Sequence, residues 1–424
     1  MKKQLFFLLG VFAIALTSCE DVVTETVTYK INEPVFMSTE AFRSSVKVSD
    51  ETEEITNYGK ICFYEGYLYI SEPEKGIHII DNRHPSNPQN IGFIELLGNA
   101  DLAIRNNLLY ADSYIDLVWF DISNPATPVL KGRLEDIFPA VLPSIENEYG
   151  FDYAMCYPEG NDAGIVVGWK LKERTEDIEH YTGGWFWNWG NKSDTEVLTF
   201  NGGTSSNGVN GSMSRFTLYS NYLYTVTETY MTIFDLSGTE PRKVSENIPI
   251  GWNVETIFSY EDNLFMGTPT GMLIYSASDP LNPEYQSSIS HVFGCDPVVV
   301  ANDLAYVTVH SGNNCGQNTN ELFIVDVSNV KSPKQLVKYS MTNPKGLGID
   351  NGMLFLCDDG LKVFSIKSPE ELYLKKIVQY TGMKGFDLIP YNNVLMMIAE
   401  DGLYQYDYTN VNDIKFLSKL AFKE

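Results

Sequence analysis

Four residues whose side chains bind metals or form disulfides lie within 25 positions of one another. They belong to the segments HVFGCDP and HSGNNCG, which contain His291, Cys295, His310 and Cys315. Two cysteines with two histidines are a ligand set for tetrahedral zinc. Two cysteines in an oxidising compartment can form a disulfide instead. Either chemistry requires a fold that brings the two segments together.

The common signatures of catalysis are missing from the sequence. No GxSxG, HExxH, P-loop or GxGxxG pattern occurs in a context that would support its chemistry. Carboxylates are abundant, so an acid pair of the kind that hydrolyses glycosides stays open as an alternative. The sequence predicts no cofactor, no metal site and no catalytic residue.

A run of aromatic residues is a further group that could bind a partner. The segment GGWFWNWGN contains Trp185, Phe186, Trp187 and Trp189, and the glycine-rich GGTSSNGVNGS follows it. Exposed tryptophans favour binding because they combine a large apolar area with a polar N–H group. A lid that packs these rings on itself is the alternative, since large exposed apolar patches are rare without a partner.

The beginning of the chain indicates a compartment. MKKQLFFLLGVFAIALTSC places Lys2 and Lys3 before an apolar stretch and ends in LTSC, which resembles the bacterial lipobox. We therefore predict a lipoprotein signal peptide at residues 1–18 and lipidation of Cys19. An ordinary secretory peptide with a chance cysteine is the alternative. The expected location is the outer membrane, at the cell surface or on the periplasmic face.

The predicted lipid and the charge of the chain restrict its partners. Two or more acyl chains anchor a protein without a transmembrane span, and no later apolar stretch is long enough to cross a bilayer. The chain has 30 basic and 55 acidic residues, which gives a net charge of −25. Such a charge repels phosphate backbones, so nucleic acid is not expected as a partner.

An internal repeat of about 40 residues dominates the rest of the chain. Its most regular piece is a short apolar strand that ends in aspartate or serine. Seven such strands end at Asp81, Asp121, Asp235, Ser276, Asp326, Ser365 and Asp407. Only the 114-residue step from Asp121 to Asp235 breaks the rhythm.

Each repeat contains four short runs rich in β-branched and aromatic residues, separated by turn residues. In the second unit these runs are DLAIRNN, LLYADS, LVWFDISNP and PVLKGRL. Four strands in about 40 residues is the pattern of a β-propeller blade, whose faces are buried when blades stack. We predict an all-β chain with a β-propeller of seven four-stranded blades. Eight blades are the alternative, with residues 163–174 as the extra strands.

This interpretation divides the chain into three parts. After the signal peptide, residues 19–50 form a lipid-anchored tether that is polar at its start, with a strand that could close the ring of blades. Residues 51–424 form the propeller, with an insertion at about residues 135–211.

LFIVD, which ends at Asp326, resembles the signature of the LVIVD-repeat family of bacterial and archaeal surface proteins. Residues 58–125 are similar to the opening of a Bacteroidetes group of LVIVD-repeat lipoproteins. The likeness covers roughly residues 29–420 and weakens between 137 and 210. It implies a propeller on a cell-surface or periplasmic lipoprotein, and it carries over no catalytic residue.

The aspartate at the end of each third strand has a structural interpretation. Followed by Ser-Asn-Pro, such an aspartate typically accepts hydrogen bonds from backbone N–H groups in the turn to strand four. Serine at positions 276 and 365 fits a hydrogen-bond acceptor better than it fits a charged metal ligand.

Propeller topology places two kinds of connection on one face, which we call the loop face. These are the loops between strands two and three of a blade and the connections from strand four to the next strand one. Cys295 and Cys315 fall in one loop of each kind, so a disulfide is favoured over zinc. Carboxylates between strands two and three form a candidate rim for cations or a basic partner. They are Glu72, Glu74, Asp112, Asp116, Glu228, Asp358, Asp359, Glu400 and Asp401.

The expected function is that of a non-catalytic binding or scaffolding module for another envelope protein or for an extracellular ligand. The predicted binding surface is the loop face, on which the insertion with its aromatic run also emerges. A propeller hosts many functions, so the fold alone does not decide between them. The alternative is a carbohydrate-active enzyme with an acidic cleft.

Overall fold

The computed structural model describes residues 21–49, 51–139, 141–145, 147–158, 164–182, 209–213, 215–227, 229–245, 247–251, 253–290, 297–310, 319–366 and 374–423. These residues form seven antiparallel sheets that are the blades of a β-propeller, one separate two-stranded sheet and two short helices. Within the same ranges, no helix is long and apolar enough to cross a membrane. The predicted all-β fold with seven blades is confirmed.

The chain begins with elements outside the ring and then forms two blades. The outer elements are β1 (Asp21–Met37), α1 (Thr39–Ser44) and β2 (Lys47–Ser49). The first blade is β3 (Ile61–Tyr64), β4 (Tyr67–Glu72), β5 (Gly76–Asp81) and β6 (Gln89–Glu95), and the second is β7 (Leu102–Arg105), β8 (Leu108–Ser113), β9 (Asp116–Asp121) and β10 (Val129–Leu134).

The described parts of the insertion contain α2 (Tyr153–Cys156), β11 (Ile165–Thr182) and β12 (Val209–Asn210). The third blade follows as β13 (Phe216–Tyr219), β14 (Tyr222–Val226) and β15 (Tyr230–Asp235). Its fourth strand is divided into β16 (Arg242–Lys243) and β17 (Ile248–Pro249), which both pair with β15.

Four regular blades complete the ring. The fourth blade is β18 (Thr256–Tyr260), β19 (Asn263–Thr268), β20 (Gly271–Ser276) and β21 (Glu284–Ser290), and the fifth is β22 (Val298–Ala301), β23 (Leu304–Val309), β24 (Glu321–Asp326) and β25 (Lys334–Ser340). The sixth blade is β26 (Pro344–Asp350), β27 (Met353–Asp358), β28 (Leu361–Ile366) and β29 (Leu374–Tyr380), and the seventh is β30 (Gly385–Tyr391), β31 (Val394–Ala399), β32 (Gly402–Asp407) and β33 (Lys415–Ala421).

Two-residue turns join the first and second strands. In the second blade, Asn106 and Asn107 have φ angles of 50° and 60°, and Asn302 and Asp303 in the fifth blade repeat this conformation. Positive φ at both positions is the geometry of the type I′ turn, which Asn and Asp tolerate and which matches the twist of the strands. These turns lie on the face opposite the loop face, which we call the turn face.

The aspartates at the ends of the third strands cap the turns to strand four. Asp326 Oδ1 accepts the backbone N–H of Ser328 at 3.0 Å, and Asp407 accepts that of Thr409 at 2.8 Å. Ser276 Oγ accepts the N–H of Ser278 at 3.3 Å. The predicted structural role of this repeated position is confirmed.

The core lies between neighbouring blades. All six positions of β27 are buried, whereas the fourth strand of the same blade exposes Lys375 and Lys376. Apolar side chains of the first and seventh blades, among them Ile70 and Ile398, share one cluster. Burial of apolar surface stabilises such sheets by about 25 cal/mol per Å², so the stability of each blade depends on its neighbours.

The ring closes without a strand from the N-terminal segment. The first strands of consecutive blades contact one another around the whole ring, including β30 with β3. Asn82 and Gln405 join the first and seventh blades through paired amides at 2.9 and 2.7 Å. A ring-closing strand was possible within residues 19–50, but of the two strands there β1 pairs with β11 and β2 pairs with the outer strand β6.

Residues 163–174 do not build an eighth blade. Their described part belongs to β11, which pairs antiparallel with β1 over its length. We call this two-stranded sheet the ribbon. Residues 21–37, which fall in the part of the chain predicted as a tether, thus form one strand of it.

Candidate functional site

The inner strands position charged residues around the centre of the loop face. The residue directly before strand one is charged in the first four blades, as Lys60, Asp101, Arg215 and Glu255. In the seventh blade, Asp387 is the third residue of strand one. Lys60 interacts electrostatically with all four of the others. We call these five residues the charge ring. The sequence analysis missed it, although a charge at the same place in successive repeats was a readable signal.

Four residues of the charge ring are buried and Glu255 is half-buried, and burial changes the ionisation of the ring. Lys60 is 2% exposed, and its Nζ makes no hydrogen bond within the described residues. Burial lowers the pKa of Lys60 to about 8, although Asp387 and Asp101 favour its charged form. Burial likewise raises the pKa of Asp387 to about 6 against the opposing effect of Lys60. The Lys60 ammonium lies 5.0 Å from the centre of the Phe386 ring, within range of a cation–π contact.

The chain itself occupies the centre of the charge ring. Residues 209–213, which we call the plug, enter among the inner strands, and β12 extends the first blade by pairing with β3. Ser212 donates its N–H to Asp387 at 3.0 Å in the seventh blade, and its Oγ accepts the N–H of Leu347 at 2.8 Å in the sixth. A Cβ on Gly211 would lie 1.9 Å from Asp387 Oδ2, so this passage requires glycine. The described end of the insertion thus contributes to the loop face, at its centre.

The carboxylates predicted as a binding rim are largely engaged inside the protein. Glu72 lies at the end of β4 rather than in a loop and is 2% exposed. It lies 2.6 Å from His78 Nε2 and accepts hydrogen bonds from Thr56 and Lys75, also at 2.6 Å. Burial opposes its ionisation, but the bonds from His78, Lys75 and Thr56 outweigh burial and lower the pKa of Glu72 to about 2.

Asp112 and Asp358 are engaged in the same way. Asp112 Oδ1 accepts the N–H groups of Ala100 and Asp101 at 2.7 and 2.9 Å. Burial nevertheless raises the pKa of Asp112 to about 6. Asp358, 1% exposed, accepts two backbone N–H groups and lies 2.6 Å from Lys362 Nζ.

Two further members of the rim stabilise the N-terminal segment and the insertion. Asp116 is fully buried and binds Arg43 at 2.9 Å and Arg133 at 2.8 Å. Glu74 accepts the N–H of Ser144 at 2.6 Å. Asp359 and Glu400 remain exposed, and Asp401 is half-buried beside Lys419 and Tyr404.

Several predicted site residues lie outside the described residues. They are Cys19, Trp185, Phe186, Trp187, Trp189, Glu228, Cys295 and Cys315. Lipidation, the disulfide and the aromatic contact patch therefore stay predictions. Cys62, Cys156 and Cys357 are buried. No group of three or more potential metal ligands occurs among the residues that the structure describes.

An open groove lies on the turn face between the first and seventh blades. The space within it, including the solvent to which it opens, is about 1050 Å³. Two type I′ turns and the turn after β5 shape it, and its lining includes Phe63, Tyr64, Asn82, Arg83, Tyr391 and Asn392. The sequence analysis did not predict this groove, because its walls come from opposite ends of the repeat array.

The groove combines exposed aromatic faces with polar groups. Tyr391 is 40% exposed and lies 5.2 Å from Phe63 between ring centres. Arg83 lies 5.2 Å above the ring of Tyr67 and forms a bidentate contact with Asp81 at 2.9 and 2.5 Å. Tyrosine and arginine are the residue types that most often dominate the energetics of protein interfaces.

Three blades match a known repeat. Residues 59–95, 98–136 and 297–340 fit the family model described as LVIVD repeat. The chain contains LVIVD repeats. Each match coincides with one blade, namely the first, second and fifth, so the LVIVD repeat is here a four-stranded propeller blade. Membership of a Bacteroidetes lipoprotein group stays a prediction.

Solved structures support the same fold. The periplasmic gluconolactonase PpgL of Pseudomonas aeruginosa is similar at a TM-score of 0.53, with 9% identity over 86% of this chain and 96% of that chain. A candidate 6-phosphogluconolactonase from Bacteroides fragilis NCTC 9343 gives 0.52, with 9% identity over 87% and 96%. At such identities the likeness concerns the fold alone. Among curated proteins, none is similar to the chain by sequence.

Proposed function

We propose that the protein is a lipid-anchored propeller of the cell envelope that binds another envelope protein through the groove on the turn face. The observation that carries this proposal is the groove itself. It is a concave surface with an exposed tyrosine, an arginine and two asparagines at the junction of two blades. Such a surface offers an apolar centre with a polar rim, which is the anatomy of a protein-binding site.

The loop face differs from the groove on the turn face in a way that supports the proposal. There the carboxylates that could have formed a cleft hold backbone N–H groups and basic side chains of the protein itself, as at Asp112 and Asp358. The plug lies at the centre of that face, where Ser212 bonds to Asp387 and Leu347. A binding role at the turn face therefore requires no rearrangement of buried charges, which would cost several kcal/mol.

The chemistry of the groove favours a segment of a protein as its occupant. Tyr391 presents a flat apolar face, and Asn392 places an amide group at the edge, where it can bond to a peptide backbone. Arg83 is held by Asp81, so its position is fixed before a partner arrives.

Capture of a partner from native outer membrane tests this function. We expect the double substitution Tyr391→Ala with Arg83→Ala to reduce recovery of a stoichiometric partner at least tenfold, because alanine substitution at anchors of this type costs about 2 kcal/mol or more. Tyr230→Ala is the matched control, since Tyr230 has the same 40% exposure but lies on another blade, at the loop face. Equal recovery by the groove variant and the control would contradict binding at the groove.

A further inference from the structure

The ribbon is the longest strand pair of the described chain. Its register runs from Asp21 opposite Thr182 to Met37 opposite Ile165, with one irregularity between Val35 and Phe36. β1 contains 17 residues. At about 3.4 Å per residue, such a strand is about 55 Å long.

One end of the ribbon is fixed to the loop face. Trp169 donates its indole N–H to the carbonyl of Pro143 at 2.8 Å. The next residue, Ser144, donates its N–H to Glu74 in the loop between β4 and β5. Residues 141–145 therefore connect the ribbon to the first blade.

A second set of contacts holds the middle of the ribbon. The backbone N–H of Asn32 donates to the carbonyl of Gly150 at 2.9 Å, and its side-chain amide donates to the carbonyl of Tyr149 at 2.6 Å. Arg174 reaches Met155 in α2 at 3.0 Å. Residues 147–157 thus support the ribbon as far as the pair formed by Tyr29 and Arg174.

The other end of the ribbon extends beyond these supports. From Asp21 to Thr28 its described contacts run between its own strands, as between Thr26 and Asp177 at 2.6 Å and between Thr28 and Thr175 at 3.0 Å. No residue of the ribbon belongs to a hydrophobic cluster of the described chain. Within the described residues, the main neighbour of β1 is β11 and no strand of a blade packs along it, so this half of the ribbon lies apart from the blades.

The position of Cys19 indicates a role for this half of the ribbon. Only Glu20 separates Cys19 from Asp21, so the cysteine lies within about 7 Å of the end of the ribbon. We propose that the ribbon is a spacer arm that carries the lipid at its free end and holds the propeller at a set distance from the bilayer. This proposal rests on the lipidation of Cys19 that the proposed function includes.

A spacer arm and a flexible tether of the same length differ measurably. A flexible chain of the eight residues from Asp21 to Thr28 has an end-to-end distance of about 16 Å and a broad distribution. As a paired strand, the same eight residues extend about 27 Å. Because the arm joins the propeller on the loop face, it leaves the groove on the turn face free of the attachment point.

The height of the propeller above a bilayer tests the arm. The mature chain is ligated through its N-terminal Cys19 to a phospholipid thioester, and neutron reflectometry measures the height on a supported bilayer. One variant lacks residues 24–27 together with 176–179, which removes four opposed pairs and preserves the register of the rest. We expect its height to fall by up to about 14 Å. The matched control lacks residues 24–27 alone, which breaks the register, and its height distribution should broaden.

Two outcomes would overturn the arm: an unchanged height in the paired deletion, or a distribution in the single deletion as narrow as that of the full chain. The intact mass of the native protein tests lipidation separately, with loss of residues 1–18 and an added acyl mass as the expected result. Because the ligated chain receives its lipid by synthesis, an unmodified native mass would contradict the lipoprotein proposal, whereas an unchanged height would contradict the arm alone.

Discussion

The two faces of the propeller use their polar side chains differently. On the loop face, Glu72, Asp112 and Asp358 are buried and bound to groups of the protein itself. On the turn face, Tyr391 and Asn392 line an open groove. A large number of carboxylates in a set of loops therefore does not by itself make the surface negatively charged, because such carboxylates can serve to hold the loops together.

The cause of this difference is the geometry of the connections. Type I′ turns on the turn face need only two residues with positive φ, such as Asn106 and Asn107. On the loop face, the connections from strand four to the next strand one leave backbone N–H groups without partners in the sheet, and buried N–H groups require an acceptor. Asp358 supplies one to Thr342 and Asn343, and Asp112 supplies one to Ala100 and Asp101.

The largest effect is expected at Asp358. Asp358→Ala removes the acceptor of two N–H groups and leaves Lys362, with a side chain 12% exposed, without its anionic partner. Removing one partner of a buried ion pair costs about 3–5 kcal/mol. Urea unfolding should show this loss, and Asp358→Asn, which keeps an oxygen acceptor, should lose less.

Asp359→Asn is the control for position. Asp359 is exposed and has a φ of 49°, which asparagine tolerates. The Asp359→Asn variant should unfold at the same urea concentration as the unmodified protein. A comparable loss at both positions would contradict the distinction between buried and exposed carboxylates on this face.

The sequence predicted the blades because each blade is a local structure. Four strands within about 40 residues and a capping residue such as Asp326 repeat in the sequence as they repeat in the fold. It also predicted which carboxylates lie near the loop face. It did not predict their burial, because that depends on contacts such as the one between Arg43 and Asp116, whose partners lie 73 positions apart in the chain.

The ribbon was missed for a related reason. The alternating pattern that indicates a strand requires one apolar face, whereas Thr24, Thr26 and Thr28 alternate with Glu25 and Val27, so neither face is uniformly apolar. The partner strand lies more than 100 residues away. The segment predicted as a tether is recognised as a strand of the ribbon only through its pairing with β11, which is not a local property of the sequence.

An intermediate, pH-dependent effect is expected at Glu72. Its pKa of about 2 in the folded protein lies below the ordinary value of 4.5. Its interactions therefore stabilise the fold above pH 4.5 and are lost as the pH falls towards 2. Glu72→Gln should lower stability at pH 7 and flatten the decrease in stability across this window, as measured by urea unfolding at a series of pH values.

Glu284→Gln provides the comparison for this titration. Glu284 is exposed on the outer strand β21, so its substitution should leave the pH dependence unchanged. If Glu72→Gln retained the full decrease between pH 4.5 and 2, the stabilising contacts of Glu72 with His78, Lys75 and Thr56 would have to be weaker in solution than the structure indicates.

The smallest effect on stability is expected at Glu400. Its side chain is 57% exposed and lies 2.7 Å from Lys384, which is 79% exposed. Pairs of this kind contribute about 0–1 kcal/mol, because water and salt screen them. Glu400→Gln should therefore change the unfolding free energy by less than about 1 kcal/mol.

The same substitution also tests which face binds the partner. Glu400 and Asp359 are the predicted rim residues that the structure leaves exposed on the loop face. If the groove on the turn face is the binding site, the variant Glu400→Gln with Asp359→Asn should recover the envelope partner as well as the unmodified protein does, at both low and high salt. A loss of recovery at low salt would show that these two carboxylates attract a basic partner. The binding surface would then lie on the loop face, despite the internal use of its other carboxylates.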